Sequence, residues 1–315
     1  MTTHSTKTQL LKQVGQPNSV PVSTGIVYGT TGVGKTHLLC TAAEAFDKAL
    51  IISLDRYDET LAKFQNVEYL DLITHASGGV HATMNGLLSE LRQAPKTWQF
   101  VGFDSVSKLV HLTKQDIIAE ERRKDEAAKK PTYQMHDPEI PEQRDWQRLS
   151  NRMTGYFWEL RRIAISKGFH LWVTAWERQE YRETGDYSGD WFHPDMPAEL
   201  TRLMLHEFGF CSRLTTTKEA IRVKEGTSAK SRISRVTRHV LASDARDSLT
   251  KNRIGFPDRC TDPTVALLLG EESGLTLEEA DYSEEELDEA VEALNNNESE
   301  VHMDETNIEE GIEIA

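Results

Sequence analysis

The chain has 315 residues, enough for one large α/β domain or two small ones. Its net charge of −15 is unevenly spread: residues 271–315 hold 18 acids and no Lys or Arg. Removing those 18 from the 51 acids leaves 33 against 36 bases, so the acidity belongs to the tail and does not exclude nucleic-acid binding by the rest.

Residues 1–22 are polar, with two prolines, and read as a lead-in. Thr24–Tyr28 is a short apolar run ending at Gly29, the form of a buried strand. After a Gly-rich turn, Thr36–Phe46 has the spacing of a helix. Leu50–Leu54, Val67–Leu72 and Phe100–Phe103 predict three more strands, the last ending at Asp104. Asp116–Lys130 reads as a solvated helix, followed by an exposed excursion past Pro131, Pro138 and Pro141. Leu149, Met153, Phe157, Leu160 and Ile163 mark an amphipathic helix, and His170–Thr174 a fifth strand. Residues 178–195 read as a loop. A helix over Ala198–Glu207 follows, then short strands at Phe208–Leu214 and Ala220–Val223 and a strand at Val236–Ala242. Helices alternating with apolar strands predict an α/β fold with a mostly parallel sheet covered on both faces. The predicted core domain is 23–270, and the acidic tail 271–315 reads as disordered.

The chemistry is concentrated in Gly29-Thr30-Thr31-Gly32-Val33-Gly34-Lys35-Thr36, which fits G-x-x-x-x-G-K-[ST] at every fixed position. Glycines let the backbone turn its N–H groups toward phosphates, and the next helix adds its positive end. Lys35 is expected to reach the β- and γ-phosphates of ATP, and the Thr36 hydroxyl to ligate Mg²⁺. Asp104, closing a buried strand, is the candidate for the second half of the metal site. Ser105 follows it, where AAA+ motors usually carry a catalytic Glu. RecA-like ATPases place the base for the attacking water at the end of the strand after the cradle helix. By that resemblance Asp55, after Ile51–Leu54, is the candidate, with Glu59 in reserve.

The cradle, the strand segment Phe100–Leu109 (FVGFDSVSKL) and Thr250–Gly255 (TKNRIG) occur in RecA-like order. FDSVSKL resembles the corresponding segment of RecA and RadA, and KNRIG resembles the KNRFG of RadA. Over residues 23–260 the layout resembles the compact phage-encoded RecA-like ATPases, a group of AAA-family ATPases and Sak-type single-strand annealing proteins. The resemblance implies ATP-dependent action on single-stranded DNA in recombination, annealing or repair, by a ring or filament; the cysteine usage is that expected of a reducing cytoplasm, the host's if the protein is phage-encoded. It also implies active sites shared between subunits, with Lys251 and Arg253 at the position of the cation that reaches a neighbour's γ-phosphate. Lys230 and Arg232 form a weaker pair. At the end of the fifth strand, where RecA-like proteins carry a polar sensor, this chain has Thr174-Ala175-Trp176-Glu177; Thr174 or Glu177 is the substitute.

The loop after that strand faces DNA in RecA-like folds, and here offers Arg178, Tyr181, Arg182, Tyr187, Trp191 and Phe192 among five acids. The acidic tail reads as a solubilising extension, a competitor for the DNA groove or a site for a basic partner. Two other readings use the same core: a nucleic-acid motor, and a nucleotide-gated scaffold with little turnover. Cys40, Cys211 and Cys260 have no zinc or disulfide spacing, and no apolar run approaches the ~18 residues that cross a bilayer. The segment before Gln16 has no signal-peptide core, so no membrane association is expected.

Overall fold

The computed structural model describes residues 22–270 except 55–59, 61, 65, 75–77, 96–97, 132–134, 138–139, 185–186 and 225–230; at 184, 187, 219–224 and 231–235 only the backbone is described. The tail and most of the lead-in lie outside these residues.

β1 (Thr24–Gly29), β2 (Ala49–Ser53) and β4 (Phe100–Asp104) are buried at every position. They read as unbroken apolar runs because helices cover both of their faces. With β3 (Val67–Asp71), β5 (His170–Thr184) and β7 (Phe210–Lys224) they form a parallel sheet in the order β3-β2-β4-β5-β1-β7. Antiparallel β8 (Ser231–Ala242) and β10 (Arg259–Thr261) extend it beyond β7, β6 (Tyr187–Pro194) pairs with β5, and β9 (Lys251–Asn252) with β7. Alternation along β1 sends Ile26 and Tyr28 into one core and Val27 into the other. The first core is covered by α3 (Val80–Gln93), α4 (Val106–Ala127), α5 (Gln143–Lys167) and α6 (Ala198–Glu207). The second is covered by α1 (Lys35–Cys40), α2 (Ala42–Ala45) and α7 (Val265–Leu269).

The α/β class and the sheet agree with the sequence expectation, and α6 has the predicted bounds. Six stretches differ. The helix after the cradle divides at Thr41, whose hydroxyl donates to the Leu38 carbonyl at 2.7 Å and accepts from Val265 N–H at 2.9 Å. α3 falls in a stretch without a predicted element, although Met84, Leu87, Leu88 and Leu91 make its buried face. The charged helix starts at Val106 and has a buried face of Leu109, Thr113, Ile117 and Ile118; its Glu120 pairs with Arg148 and Arg152 of α5 instead of facing water. In the excursion read as exposed, His136 is buried, with its Nε2 2.9 Å from Asp145. The two short strands after α6 are one continuous β7.

The largest difference is the predicted loop over 178–195. From Glu177 onward β5 pairs with β6, so most of that stretch is a two-stranded ribbon. β1 ends where Gly29 lies beside Trp176 and Tyr28 beside Arg213. Beyond that level β5 runs on to Thr184 and β7 to Lys224, about 26 Å and 36 Å of strand. Two ribbons, β5–β6 and β7–β8, therefore leave the sheet on either side of the turn that follows β1.

Candidate functional site

That turn is the predicted cradle, at the carboxyl ends of the parallel strands. Gly29 is required by close approach: a Cβ there would lie 2.2 Å from the Leu214 carbonyl oxygen. Gly34, which opens α1, has φ +95°, a left-handed conformation that a side chain disfavours. Lys35 is buried, and its ammonium donates to the carbonyls of Gly29 at 2.8 Å and Thr30 at 2.7 Å. The ammonium is thus held across the mouth of the turn, where a polyphosphate would replace those carbonyls as its partner.

β5 lies between β1 and β4, so Asp104 approaches the cradle across one intervening strand. The Thr36 hydroxyl donates to Asp104 Oδ2 at 2.5 Å, and the Thr174 hydroxyl to Oδ1. Thr174, one of the two proposed sensor substitutes, thus touches the predicted metal-site acid. A hydroxyl and a carboxylate together are the hard oxygen donors that Mg²⁺ takes, so the residues present fit that ion. The cap of α4 is Ser105, whose hydroxyl accepts from Lys108 N–H at 3.3 Å; Asp104 is not the capping residue.

A cavity of about 230 Å³ collects Thr31, Gly32, Gly34, Lys35, Thr36, Asp104 and Trp176, together with His37 and Thr60. Trp176 forms part of its wall, with its backbone N–H donating to Ser107 Oγ at 2.8 Å, and also lines a second cavity with Lys114 and Trp146. In the sequence Trp176 shows only as a missing sensor. Burial, and secondarily the charge of Asp104, pushes the Cys40 thiol on α1 up to about 12. Burial, then His239, lowers the pKa of His37.

Asp55 and Glu59 lie outside the described residues. Ser53 pairs with Asp104, Leu54 N–H donates to the Asp104 carbonyl at 2.6 Å, and Thr60 lines the cavity. Leu54 and Thr60 therefore both stand at the site.

Glu177, the other sensor substitute, is engaged elsewhere. It takes the Arg213 guanidinium at 2.7 and 3.3 Å. Arg213 also donates to Asp247 at 3.0 Å and stacks on the Phe192 ring at 3.5 Å. This cluster ties the roots of the two ribbons together where β1 ends. It joins residues 36 positions apart, with no local spacing to reveal it.

Lys251 and Arg253 are at the opposite end of the sheet. Lys251 pairs with Cys211 and Asn252 with Phe210, which in turn pair with Ile26 and Gly25 near the start of β1. The Lys251 ammonium donates to the carbonyls of Leu205 and Phe208 at the end of α6, and Arg253 to that of His206 at 3.2 Å. Both satisfy carbonyls that a helix end leaves without internal partners. Burial, then Arg253, lowers the pKa of Lys251. Arg253 is exposed.

On the β5–β6 ribbon, Glu180 lies 3.5 Å from Arg178, 3.6 Å from Arg182 and 3.2 Å from His193. Arg182 stacks over Trp191 at 4.8 Å. Tyr181 is exposed, with its hydroxyl 2.7 Å from Ser188 Oγ. Tyr187 pairs through its backbone with Thr184. Lys230 lies outside the described residues, and Arg232 is placed only by its backbone in β8. Among the described residues no helix is long and apolar enough to cross a membrane.

A family model described as an AAA domain matches residues 23–254, and the chain belongs to that family. No curated protein matches it. The match spans the cradle, Asp104, both ribbon roots and Arg253, and it assigns the chain to the AAA-type P-loop ATPases.

Proposed function

We propose that this protein is a Mg²⁺-dependent ATPase that acts on single-stranded DNA, in recombination, annealing or repair of the phage type, and that the β7–β8 ribbon is its main DNA contact. The observation that carries the nucleotide half is the Thr36 hydroxyl bonded to Asp104 beside the Lys35 ammonium. In this reading Lys35 would move from the Gly29 and Thr30 carbonyls onto the phosphates, and Thr36 and Asp104 would hold the metal. Bound Mg²⁺ supplies charge neutralisation on the transferred phosphoryl group. Asp55 orients and deprotonates the attacking water, as its place after Leu54 favours.

The DNA half is supported by charge. Residues 215–239 contain seven Lys or Arg and two acids, whereas residues 177–194 contain two Arg and five acids. Phosphate neutralisation dominates sequence-independent binding, so the first ribbon is the better strand contact. The sequence-based contacts Arg178, Arg182 and Trp191 then take a secondary part, because Glu180 already offsets the two arginines.

The cradle and Arg253 sit at opposite ends of the same strands. A site shared between subunits therefore requires head-to-tail contact, which builds rings or filaments. In such an assembly Arg253, exposed at the end of α6, is the cation offered to a neighbour's phosphates, with Lys251 fixing the helix end beside it.

A nucleotide-gated scaffold with little turnover is the second reading, favoured by Trp176 in place of a polar sensor. Purified protein is assayed for ATP hydrolysis with Mg²⁺, with and without single-stranded oligonucleotide. Stimulated turnover that Lys35→Ala abolishes supports the enzyme. Binding without turnover supports the scaffold, and no affinity for any triphosphate sinks both. Arg253→Ala is expected to bind ATP normally, lose hydrolysis and poison wild type when mixed; normal turnover by this variant rejects the shared site.

A further inference from the structure

The ring of His239, on β8, lies against the outer wall of the cradle. Its Nδ1 is 2.9 Å from the Val33 carbonyl oxygen, and a Cβ on Gly34 would come within 3.1 Å of the ring. A carbonyl oxygen only accepts, so Nδ1 carries the proton. His239 lines a cavity of about 250 Å³ behind α1, with Leu38, Thr41, Leu214 and Pro263, and does not line the phosphate cavity.

The geometry of one peptide unit links the two sides. The Val33–Gly34 bond is trans, as Asp104–Ser105 is the only cis bond among the described residues. In a planar trans peptide the C=O and N–H point in opposite directions. Holding the Val33 carbonyl against His239 therefore turns the Gly34 N–H away from the rear cavity, toward the side where Lys35 and Thr36 line the phosphate site. His239 is itself clamped. Its backbone N–H donates to Asp262 Oδ1 at 2.9 Å, Asp262 backbone N–H returns to its carbonyl at 2.6 Å, and Arg238 holds the other Asp262 oxygen at 2.6 Å.

We propose that His239 is a positioning residue for the nucleotide: its bond to the Val33 carbonyl presets the Gly34 amide toward the polyphosphate and ties the cradle to the return strand of the basic ribbon. This rests on reading the cradle as a nucleotide site. Without the bond, the Val33–Gly34 peptide has to be ordered at the moment of binding, and affinity for phosphates falls.

Two substitutions separate the ring's volume from its hydrogen bond. His239→Phe keeps a ring and removes the donor; His239→Asn keeps a side-chain N–H and removes the ring. Affinity for a labelled non-hydrolysable ATP analogue with Mg²⁺, together with the melting temperature, is measured for both, for wild type and for Lys35→Ala. His239→Phe is expected to bind about ten-fold more weakly, the scale of one lost hydrogen bond, and His239→Asn to stay near wild type. The inference is overturned if His239→Phe binds like wild type, or if His239→Asn is as weak as His239→Phe. In those outcomes wild type still binds and Lys35→Ala does not, so the cradle reading survives. A wild type with no affinity for the analogue overturns the cradle reading, and this inference with it.

Discussion

The β5–β6 and β7–β8 ribbons leave the same end of the sheet on either side of the cradle, yet they carry opposite charge: two Arg and five acids in residues 177–194, seven bases and two acids in 215–239. Position in the fold singles out neither ribbon. Charge does, because a strand of phosphates is attracted over about a Debye length, and interleaved carboxylates cancel that attraction. On the acidic ribbon, Glu180 sits among Arg178, Arg182 and His193, so its cations serve the ribbon's own structure. The basic ribbon lacks that internal balance along its sequence.

The two ribbons meet at Arg213, and the sharpest way to break the comparison is to cut them apart there. Glu177→Ala leaves the guanidinium, which is only 15% exposed, with Asp247 as its remaining carboxylate. A cost of about 3 kcal/mol is expected, which lowers the melting temperature by roughly 6–12 °C. A shift below about 2 °C in a thermal melt would mean the roots are held by packing alone.

Reversing charge on the basic arm comes next. Arg232→Glu with Arg235→Glu is expected to weaken single-stranded DNA binding about 100-fold at low salt, and to flatten the dependence of log affinity on log salt. Fluorescence anisotropy across a salt series reads both quantities. An unchanged slope would move the DNA site off this ribbon.

Deleting residues 271–315 removes 18 acids and tests the reading in which the tail competes with DNA for this arm. Affinity is expected to rise about ten-fold at low salt and to converge with wild type as salt screens the tail. Equal affinity at every salt concentration would leave the tail as a solubilising extension.

The smallest effect is expected on the other side of the cradle. Arg178→Ala with Arg182→Ala, already offset by Glu180, should change DNA affinity less than about three-fold. A larger loss would return the main contact to the β5–β6 ribbon and weaken the charge argument.

What could be read in sequence and what could not divides by distance along the chain. Gly29–Thr36, the strand ending at Asp104 and the Leu149–Ile163 stripe are each contained in one local spacing, and the backbone turns those spacings into a loop, a strand end and a helix face. Charge counts along the two ribbons were also there to read, but nothing local marked residues 178–195 as strand: the pairing of Arg178 with His193 or Tyr181 with Asp190 appears only once both segments are placed. The same holds for α4, whose charges looked solvated until α5 supplied Arg148 and Arg152.

By itself, then, the sequence determined the phosphate-binding turn, the acid opposite it and the class of sheet that carries them, because local periodicity and glycine placement dictate those directly. Tertiary structure alone decided that Lys251 and Arg253 lie at the far end of the strands from the cradle, that Glu177 holds Arg213, and that His239 reaches Val33 across 206 residues. Strand direction and register fix such relations, and they follow from the packing of the whole sheet, which no local stretch of residues specifies.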